Sequence, residues 1–295
     1  MTDSRISAAL PPVVILPTIA LLGAGSLGSA ILSGLITPRV EVSGGIRVTT
    51  RTSAASDALP YHPGLTVGAT QADPNANISA VTDARIVVVA VKPAMVPDLL
   101  REIAPALRSD AIVVSVAAGV TIATMEALLP ESVRVIRSMP NTPALVGKAV
   151  TGISAGSGVT PSDLHLVRSL FETVGVVVEV PEAQIDALST ISGSGPAYVF
   201  ALIEALTLAA QGKGFDPGTA RTLVEQTFLG ASLLLASSEE TPAQLRRRVT
   251  SPGGTTERAL EVMSQADLPG VFTKATDAAL ARATELARAT TDNRS

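Results

Sequence analysis

The chain has 295 residues, of which 46% are hydrophobic and 16% charged, so it can build a large core and is not expected to be disordered. Its formal net charge of −4 and its 2% of aromatic residues argue against nucleic acid as a partner. It has no cysteine and two histidines, so disulfides, thiolate chemistry and a zinc or non-haem iron centre are not expected. Any chemistry must come from a bound cofactor or from carboxylates, amines and hydroxyls.

The N-terminus resembles a signal peptide only superficially. Arg5 precedes a largely apolar stretch over residues 8–22, but Pro11, Pro12 and Pro17 interrupt that stretch. No uninterrupted apolar run reaches the roughly 18 residues of a membrane span. We therefore expect a cytoplasmic protein with no membrane partner, whose residues 1–16 form an irregular extension.

Strand-like and helix-like patterns alternate over residues 17–181. Apolar or β-branched runs predict strands at residues 18–22, 45–50, from 67, 85–91, 111–116, 133–137 and 175–180. Amphipathic patterns predict helices between them, for example at residues 96–106 and 121–129, and Thr160 marks a further helix start. The run RIVVVAV at 85–91 is typical of a strand buried on both faces. The alternation predicts an α/β domain with a parallel sheet covered by helices on both sides.

The pattern becomes wholly helical after Pro181. Asp216 and Pro217 form a helix start, residues 241–244 fit a capping box, and apolar residues recur at helical spacing over 270–290. The helices have broad apolar faces, which a dimer interface would explain, with a plain compact bundle as the alternative. We expect residues 182–295 to form an all-α dimerisation domain.

A glycine motif, G-x-G-x-x-G, occupies residues 23–28 between the first predicted strand and helix. Gly23 permits a tight turn, Gly25 lets the backbone approach a pyrophosphate, and Gly28 lets the helix pack on the sheet. The helix N-terminus, which favours negative charge, then faces the phosphates. This context predicts a Rossmann-type dinucleotide-binding domain over residues 17–181.

The end of the second strand indicates which dinucleotide binds. An NAD-binding enzyme usually has Asp or Glu there to bind the ribose 2′-hydroxyl. This chain has Thr50, Arg51 and Thr52 instead, with no carboxylate. Arg51 fits a 2′-phosphate through a charge-assisted contact, so we predict NADPH as the cofactor and leave NADH open.

Residues 251–256 read Ser-Pro-Gly-Gly-Thr-Thr and lie between two helical patterns. Adjacent glycines let backbone N–H groups converge, and the hydroxyls add neutral polar contacts, which suits a small anion. Taken alone, the segment is more typical of an ordinary helix–helix turn.

Three further segments accompany this hexapeptide: VKP at 91–93, RSMPNTP at 137–143 and IDALSTISGSGPAYVF at 185–200. Together these motifs resemble the pyrroline-5-carboxylate reductase family, which catalyses the last step of proline biosynthesis. The resemblance runs from about residue 19 to the last helix. It implies hydride transfer from NADPH to the imine carbon of 1-pyrroline-5-carboxylate, giving L-proline. It also implies a homodimer joined by the helical domain, and further assembly, commonly into a decamer.

The resemblance also implies a set of site residues. The cofactor-binding positions are Gly23, Gly25, Ser26, Leu27, Gly28, Thr50, Arg51, Thr52, Asn77, Val91, Lys92, Pro93, Asn141 and Pro143. The substrate-binding positions are Ser251, Gly253, Gly254, Thr255 and Thr256. For the reaction itself we nominate Thr256, whose hydroxyl would bond the ring nitrogen, and Lys92, for which a phosphate or ribose contact is the alternative. Arg85 departs from the family, which usually has Asp there.

Two other functions fit parts of the sequence. β-Hydroxyacid dehydrogenases also join a cofactor domain to helices, but they place a catalytic Lys and Asn where this chain has Val199 and Ile203. A catalytically silent NADP-binding regulator would keep the glycine motif, yet it would not need an intact loop at 251–256. The sequence therefore favours a reductase.

Overall fold

The computed structural model describes residues 13–292, with side chains described as far as residue 285. The chain divides into two compact units. Of the described residues, 13–193 and 282–292 form one unit, and 194–281 form the other. The composition changes after residue 181, but the first compact unit continues for twelve more residues.

An eight-stranded sheet forms the framework of the first unit, in the order β3-β2-β1-β4-β5-β6-β7-β8. Its strands are β1 (Val14–Leu22), β2 (Val40–Thr50), β3 (Leu65–Ala69), β4 (Ile86–Val89), β5 (Ile112–Ser115), β6 (Arg134–Met139), β7 (Ala149–Ala155) and β8 (Gly175–Glu179). The predicted parallel pairing is confirmed for β1 to β6, whereas β7 runs antiparallel to β6 and parallel to β8. Strand β7 was not among the predicted strands, because its residues form no continuous apolar run and Gly152 interrupts them.

The first strand begins at Val14, four residues earlier than predicted. It pairs with β2 from Val14, but with β4 only from Ile19. Pro17, which has no N–H to donate, falls where the β1–β2 register shifts. The proline therefore does not end the strand. Residues 14–16 belong to β1 and not to an irregular extension, and residues 1–12 lie outside the described part of the chain.

Six helices of the first unit flank this sheet or connect its strands. They are α1 (Ser26–Leu35), α2 (Ser53–Asp57), α3 (Ala76–Val81), α4 (Val96–Ile103), α5 (Ile122–Glu126) and α6 (Pro161–Glu172). Alternate residues of the strands enter two separate cores. Ile19 and Leu21 of β1 pack with α1 and α6, whereas Ala20 and Leu22 pack with α3, α4 and α5. Both faces of the sheet are covered, which explains why the central strand β4 reads as an unbroken apolar run.

Arg85, the departure from the family pattern, has a structural role. Its guanidinium pairs with Asp163, a buried carboxylate of α6, and its Nε lies 3.4 Å from Asp110. Asp163 also accepts hydrogen bonds from the N–H and hydroxyl of Thr160, at 3.0 and 2.7 Å, which confirms the predicted helix start. Burial raises the pKa of Asp163, but the hydrogen bonds from Thr160 and Arg85 outweigh it and hold that pKa below its ordinary value.

Polar contacts tie residues 182–193 to the sheet. Arg137 of β6, 3% exposed, pairs with Asp186 and lies 3.4 Å from a carboxylate oxygen of Glu182. The side-chain amide of Asn141 donates to the carbonyl of Ser192 at 2.9 Å. These contacts explain why the first unit extends past residue 181. The segment contains α7 (Ile185–Leu188) and a π-helical turn (Ser189–Gly193).

The second unit consists of helices joined by short loops. They are α8 (Gly195–Gly212), α9 (Pro217–Ala236), α10 (Pro242–Arg248), α11 (Thr255–Gln265) and α12 (Leu268–Asp292), whose last residues belong to the first unit. The predicted helix starts are confirmed. Asp216 accepts hydrogen bonds from two backbone N–H groups of α9, and Thr241 forms a capping box with Gln244.

This helical unit buries little of its apolar surface within one chain. Among its described side chains, Ala220 and Val224 alone are buried hydrophobic residues. Phe200 and Leu233, in contrast, are 66% and 57% exposed. An apolar surface of this extent is characteristic of a face that another molecule covers.

One helical stretch among the described residues, Glu182–Gly212, has the length and composition of a membrane span, with a mean hydropathy of 1.3. This stretch contains no uninterrupted apolar run of that length, because serine, threonine and Glu204 interrupt it, so its sequence pattern did not predict a span. Length and composition do not distinguish a membrane span from an apolar helix that packs against protein.

Candidate active site

The glycine motif forms the turn between β1 and α1. Gly23 has a φ of +100°, and a Cβ there would lie 2.7 Å from the carbonyl oxygen of Ala90. A Cβ at Gly28 would lie 2.2 Å from the carbonyl oxygen of Gly23. A Cβ at Gly25 would meet nothing within 4 Å. Two glycines therefore close the turn, and the third leaves open space beside the backbone.

The N-terminus of α1 has no side-chain cap. Its N-cap residue is Gly25, and its first turn contains no acidic residue. The first N–H groups are thus left without side-chain partners, and the helix dipole adds partial positive charge. Ser26 is exposed, whereas Leu27 is half-buried and packs into the core. An uncapped helix beside open space fits the pyrophosphate group that we expected here.

A cleft of about 550 Å³ brings together predicted residues from four segments. Its lining includes Gly23, Thr50, Arg51, Asn77 and Val91. These segments meet because β1 to β4 are parallel neighbours whose carboxyl ends share one edge of the sheet. Asn77 lies on α3, which follows β3.

The cleft also contains residues that the sequence analysis missed. They come from the loop after β3 and from α4, and include Thr70, Asp98 and Glu102. The amphipathic pattern of α4 predicted a helix, but it did not indicate which polar side chains would face the cleft.

The loop after β2 is shaped by its own hydroxyls. Buried Thr50 donates to the carbonyl of Thr52 at 2.9 Å and lies 2.7 Å from the hydroxyl of Ser56. Thr52 caps α2 by accepting from the N–H of Ala55 at 3.2 Å. Arg51 is exposed, and its guanidinium has no hydrogen bond or ion pair with the described residues. Arg51 is therefore the group of this loop that is available to an anion.

The segment after β4 contributes one side of the cleft. Val91 lines it, while Lys92 and Pro93 do not. Lys92 is exposed, and its carbonyl accepts from the N–H of Met95 to close a 3₁₀ turn. Its ammonium group has no ion pair with the described residues.

Asn141 uses both ends of its side-chain amide inside the first unit. Its nitrogen donates to Ser192 O, and its oxygen accepts from the N–H of Val150, each at 2.9 Å. Pro143 is half-buried in the first turn of a 3₁₀ helix. Neither residue lines the 550 Å³ cleft. The contacts of Asn141 indicate that it positions the loop after β6.

The loop at residues 251–256 leads from α10 into α11. Gly253 has a φ of +70°, and Gly254 is the N-cap of α11. The N–H of Gly254 donates to the carbonyl of Ser251 at 3.0 Å, and the N–H of Gly253 donates to Glu257 Oε2 at 2.8 Å. The glycine N–H groups are thus already used within the loop.

The N–H groups of Thr255 and Thr256, in the exposed first turn of α11, donate no hydrogen bond to the described residues. Gly254, Thr255 and Thr256 are among the substrate-binding residues that the family resemblance implies. Because the N–H of Gly254 closes the turn, the N–H groups of Thr255 and Thr256 are the ones available to an anion.

Comparison with known proteins identifies the family. Residues 182–286 match the model for pyrroline-5-carboxylate reductase dimerisation, and residues 18–119 match that for NADP oxidoreductase, coenzyme F420-dependent. The chain is 39% identical to a pyrroline-5-carboxylate reductase of Pseudomonas aeruginosa, over 92% of this chain and 97% of that relative. The chain belongs to the pyrroline-5-carboxylate reductase family. A pyrroline-5-carboxylate reductase of Methanosarcina acetivorans is 38% identical, over 92% and 98% of the two chains.

Solved structures of pyrroline-5-carboxylate reductases share the fold. The protein from Coxiella burnetii is 36% identical with a TM-score of 0.82, over 91% of this chain and 97% of that one. The protein from Plasmodium falciparum, solved with NADP bound, is 25% identical with a TM-score of 0.75, over 92% and 98%. The predicted fold class, a Rossmann-type domain followed by a helical dimerisation domain, is confirmed.

The contrast between Gly25 and Gly28 yields a test of the pyrophosphate turn. Gly25→Val should keep the melting temperature within about 2 °C of the wild type, because its Cβ enters open space. It should weaken NADPH binding at least about ten-fold by filling that space. Gly28→Val should instead destabilise the fold through its clash with Gly23. Calorimetry measures both the melting temperature and the Kd for NADPH. A Gly25→Val variant that binds NADPH as tightly as the wild type would contradict the prediction.

Proposed function

We propose that this protein reduces 1-pyrroline-5-carboxylate to L-proline with NADPH, the last step of proline biosynthesis. The observation that carries the proposal is the identity of 38–39% with pyrroline-5-carboxylate reductases over 92% of the chain. The available guanidinium of Arg51 in the cleft supports NADPH as the preferred cofactor. We place the reaction in the cytoplasm, where nicotinamide cofactors are available.

The first unit binds and orients the cofactor in this proposal. The bound nicotinamide supplies the hydride for the imine carbon. The turn at residues 23–28 and the first N–H groups of α1 hold the pyrophosphate, and Arg51 pairs with the 2′-phosphate. Asn77 and Val91 line the same cleft. Lys92 contacts a phosphate or the ribose from the adjacent exposed turn.

The loop at 251–256 binds the substrate. The N–H groups of Thr255 and Thr256 hold the carboxylate, so no arginine is required there. The hydroxyl of Thr256 bonds the ring nitrogen, which gains a proton as the imine becomes an amine. Alignment of the two rings supplies most of the acceleration. A strong general acid is not required when the iminium form binds or when water delivers the proton.

The activity is tested by incubating the purified protein with NADPH and racemic pyrroline-5-carboxylate. We expect loss of nicotinamide absorbance and formation of L-proline, and lower activity with the six-membered cyclic imino acid. Binding of NADPH without turnover of either imine would overturn the proposal and favour a silent NADP-binding regulator.

Thr256→Ala should lower kcat/KM for the imine about ten- to hundred-fold, because one polar contact to the ring nitrogen is lost. The Kd for NADPH should stay nearly unchanged. Ser264→Ala is a matched control, since it removes a hydroxyl near the other end of α11 that bonds only the carbonyl of Glu261. Equal values of kcat/KM for the wild type and Thr256→Ala would show that the Thr256 hydroxyl makes no such contact with the substrate.

We further propose that the helical unit forms a homodimer, and that dimers assemble into a higher oligomer such as a decamer. The match of residues 182–286 to a dimerisation model supports the dimer. The exposed apolar side chains of α8 and α9 supply a surface for it. The same contact would cover α8, the helix within the apolar stretch Glu182–Gly212.

Phe200→Asp should reduce the oligomer mass measured by light scattering, because it places a charge on this apolar surface. Tyr61→Asp is the control, since Tyr61 is 93% exposed but lies in the first unit. Circular dichroism verifies that both variants remain helical. A monomeric wild type at micromolar concentration would contradict the dimer.

A further inference from the structure

The cleft that contains Arg51 also contains carboxylates. Asp98 and Glu102 lie one turn apart on α4, and both line this cleft. The sequence analysis found no carboxylate at the end of β2 and therefore predicted NADPH. In the folded chain, α4 brings carboxylates from a later part of the sequence into the same cleft.

The two carboxylates differ in their partners. Asp98 pairs with Arg101 of the same helix at 2.7 Å, so a neighbouring cation offsets its charge. Glu102 has no ion pair with the described residues. Its two oxygens accept from the side-chain nitrogen of Asn77 at 3.1 and 3.3 Å. Glu102 is thus the carboxylate of this cleft whose charge is not offset by an ion pair.

The contact with Glu102 determines how Asn77 is oriented. A carboxylate only accepts hydrogen bonds, so the amide nitrogen of this buried Asn77 faces Glu102. The amide oxygen accepts no hydrogen bond from the described residues. Asn77 therefore offers its amide oxygen, and Glu102 its remaining carboxylate lone pairs, as hydrogen-bond acceptors. Acceptors suit a hydroxyl group and repel phosphate oxygens.

We propose that Glu102 is a specificity-determining residue that lets the protein use NADH beside NADPH. Its carboxylate accepts a hydrogen bond from the ribose 2′-hydroxyl of NADH and opposes the 2′-phosphate that Arg51 attracts. The opposing effects of Arg51 and Glu102 then determine the preference for NADPH over NADH. The inference rests on the proposed function for the class of cofactor, and it does not involve the substrate loop.

Binding of two adenosine fragments to the full-length protein tests these opposing effects. The probes are 2′,5′-ADP and 5′-AMP, which differ only at the 2′ position, and their Kd values are measured by calorimetry. Glu102→Gln keeps the shape of the side chain and removes its charge. It should raise the affinity ratio of 2′,5′-ADP to 5′-AMP about three- to ten-fold. The effect is modest because Glu102 is exposed, so solvent screens its repulsion of the 2′-phosphate.

Two further variants serve as controls. Asp98→Asn removes the same charge from the same helix and should change the ratio less than two-fold, because Asp98 is paired with Arg101. Arg51→Gln should weaken 2′,5′-ADP alone, which verifies that the probes occupy this cleft. NADPH and NADH are measured in the same way and should follow their fragments.

Several outcomes would overturn the inference. One is an unchanged affinity ratio in Glu102→Gln; if both affinities change equally, Glu102 serves only to hold Asn77. Another is an Arg51→Gln variant that binds both probes normally. A different outcome would contradict the proposed function. A protein that shows these binding shifts but does not reduce pyrroline-5-carboxylate would retain the inference and lose the activity.

Discussion

The close approach of α1 to the carboxyl ends of β1 and β4 is the constraint on which the first unit depends. A single carbon added at Gly28 would lie 2.2 Å from the carbonyl oxygen of Gly23, so a residue with a side chain would displace the helix from this position. This contact brings the uncapped start of α1 to the edge where β1, β2 and β4 end. The cleft at that edge collects side chains from segments far apart in the chain, among them Arg51 and Asn77.

Much of this arrangement could be predicted because its signals are local. Unbroken apolar runs indicated the buried parallel strands, and the capping residues Thr160, Asp216 and Thr241 marked helix starts that the structure confirms. The missed features depend on contacts between distant residues. Strand β7 has weak local character and is held by pairing with β6 and β8, and Glu102 reaches the cleft only because α4 packs beside β4.

In the second unit, the sequence pattern does not agree with the packing within one chain. Its helices have the periodicity of core elements, yet one chain buries almost none of their large side chains. A bundle that leaves Phe200 and Leu233 in solvent would forgo most of the free energy that apolar burial provides. The broad apolar faces in the sequence are therefore better explained by burial between chains than within one chain.

The polar contacts of residues 182–193 with the sheet also determine where two related sequences could be joined in a chimeric protein. A junction after residue 181, at the change in composition, would separate buried Arg137 from Glu182 and Asp186. A replacement without equivalent carboxylates would leave an unpaired charge in the interior, at a cost of about 3–5 kcal/mol. A junction after residue 193 keeps Arg137, Asn141 and their partners from the same parent. Chimeric reductases that combine the cofactor half of one species with the helical half of another should be joined there.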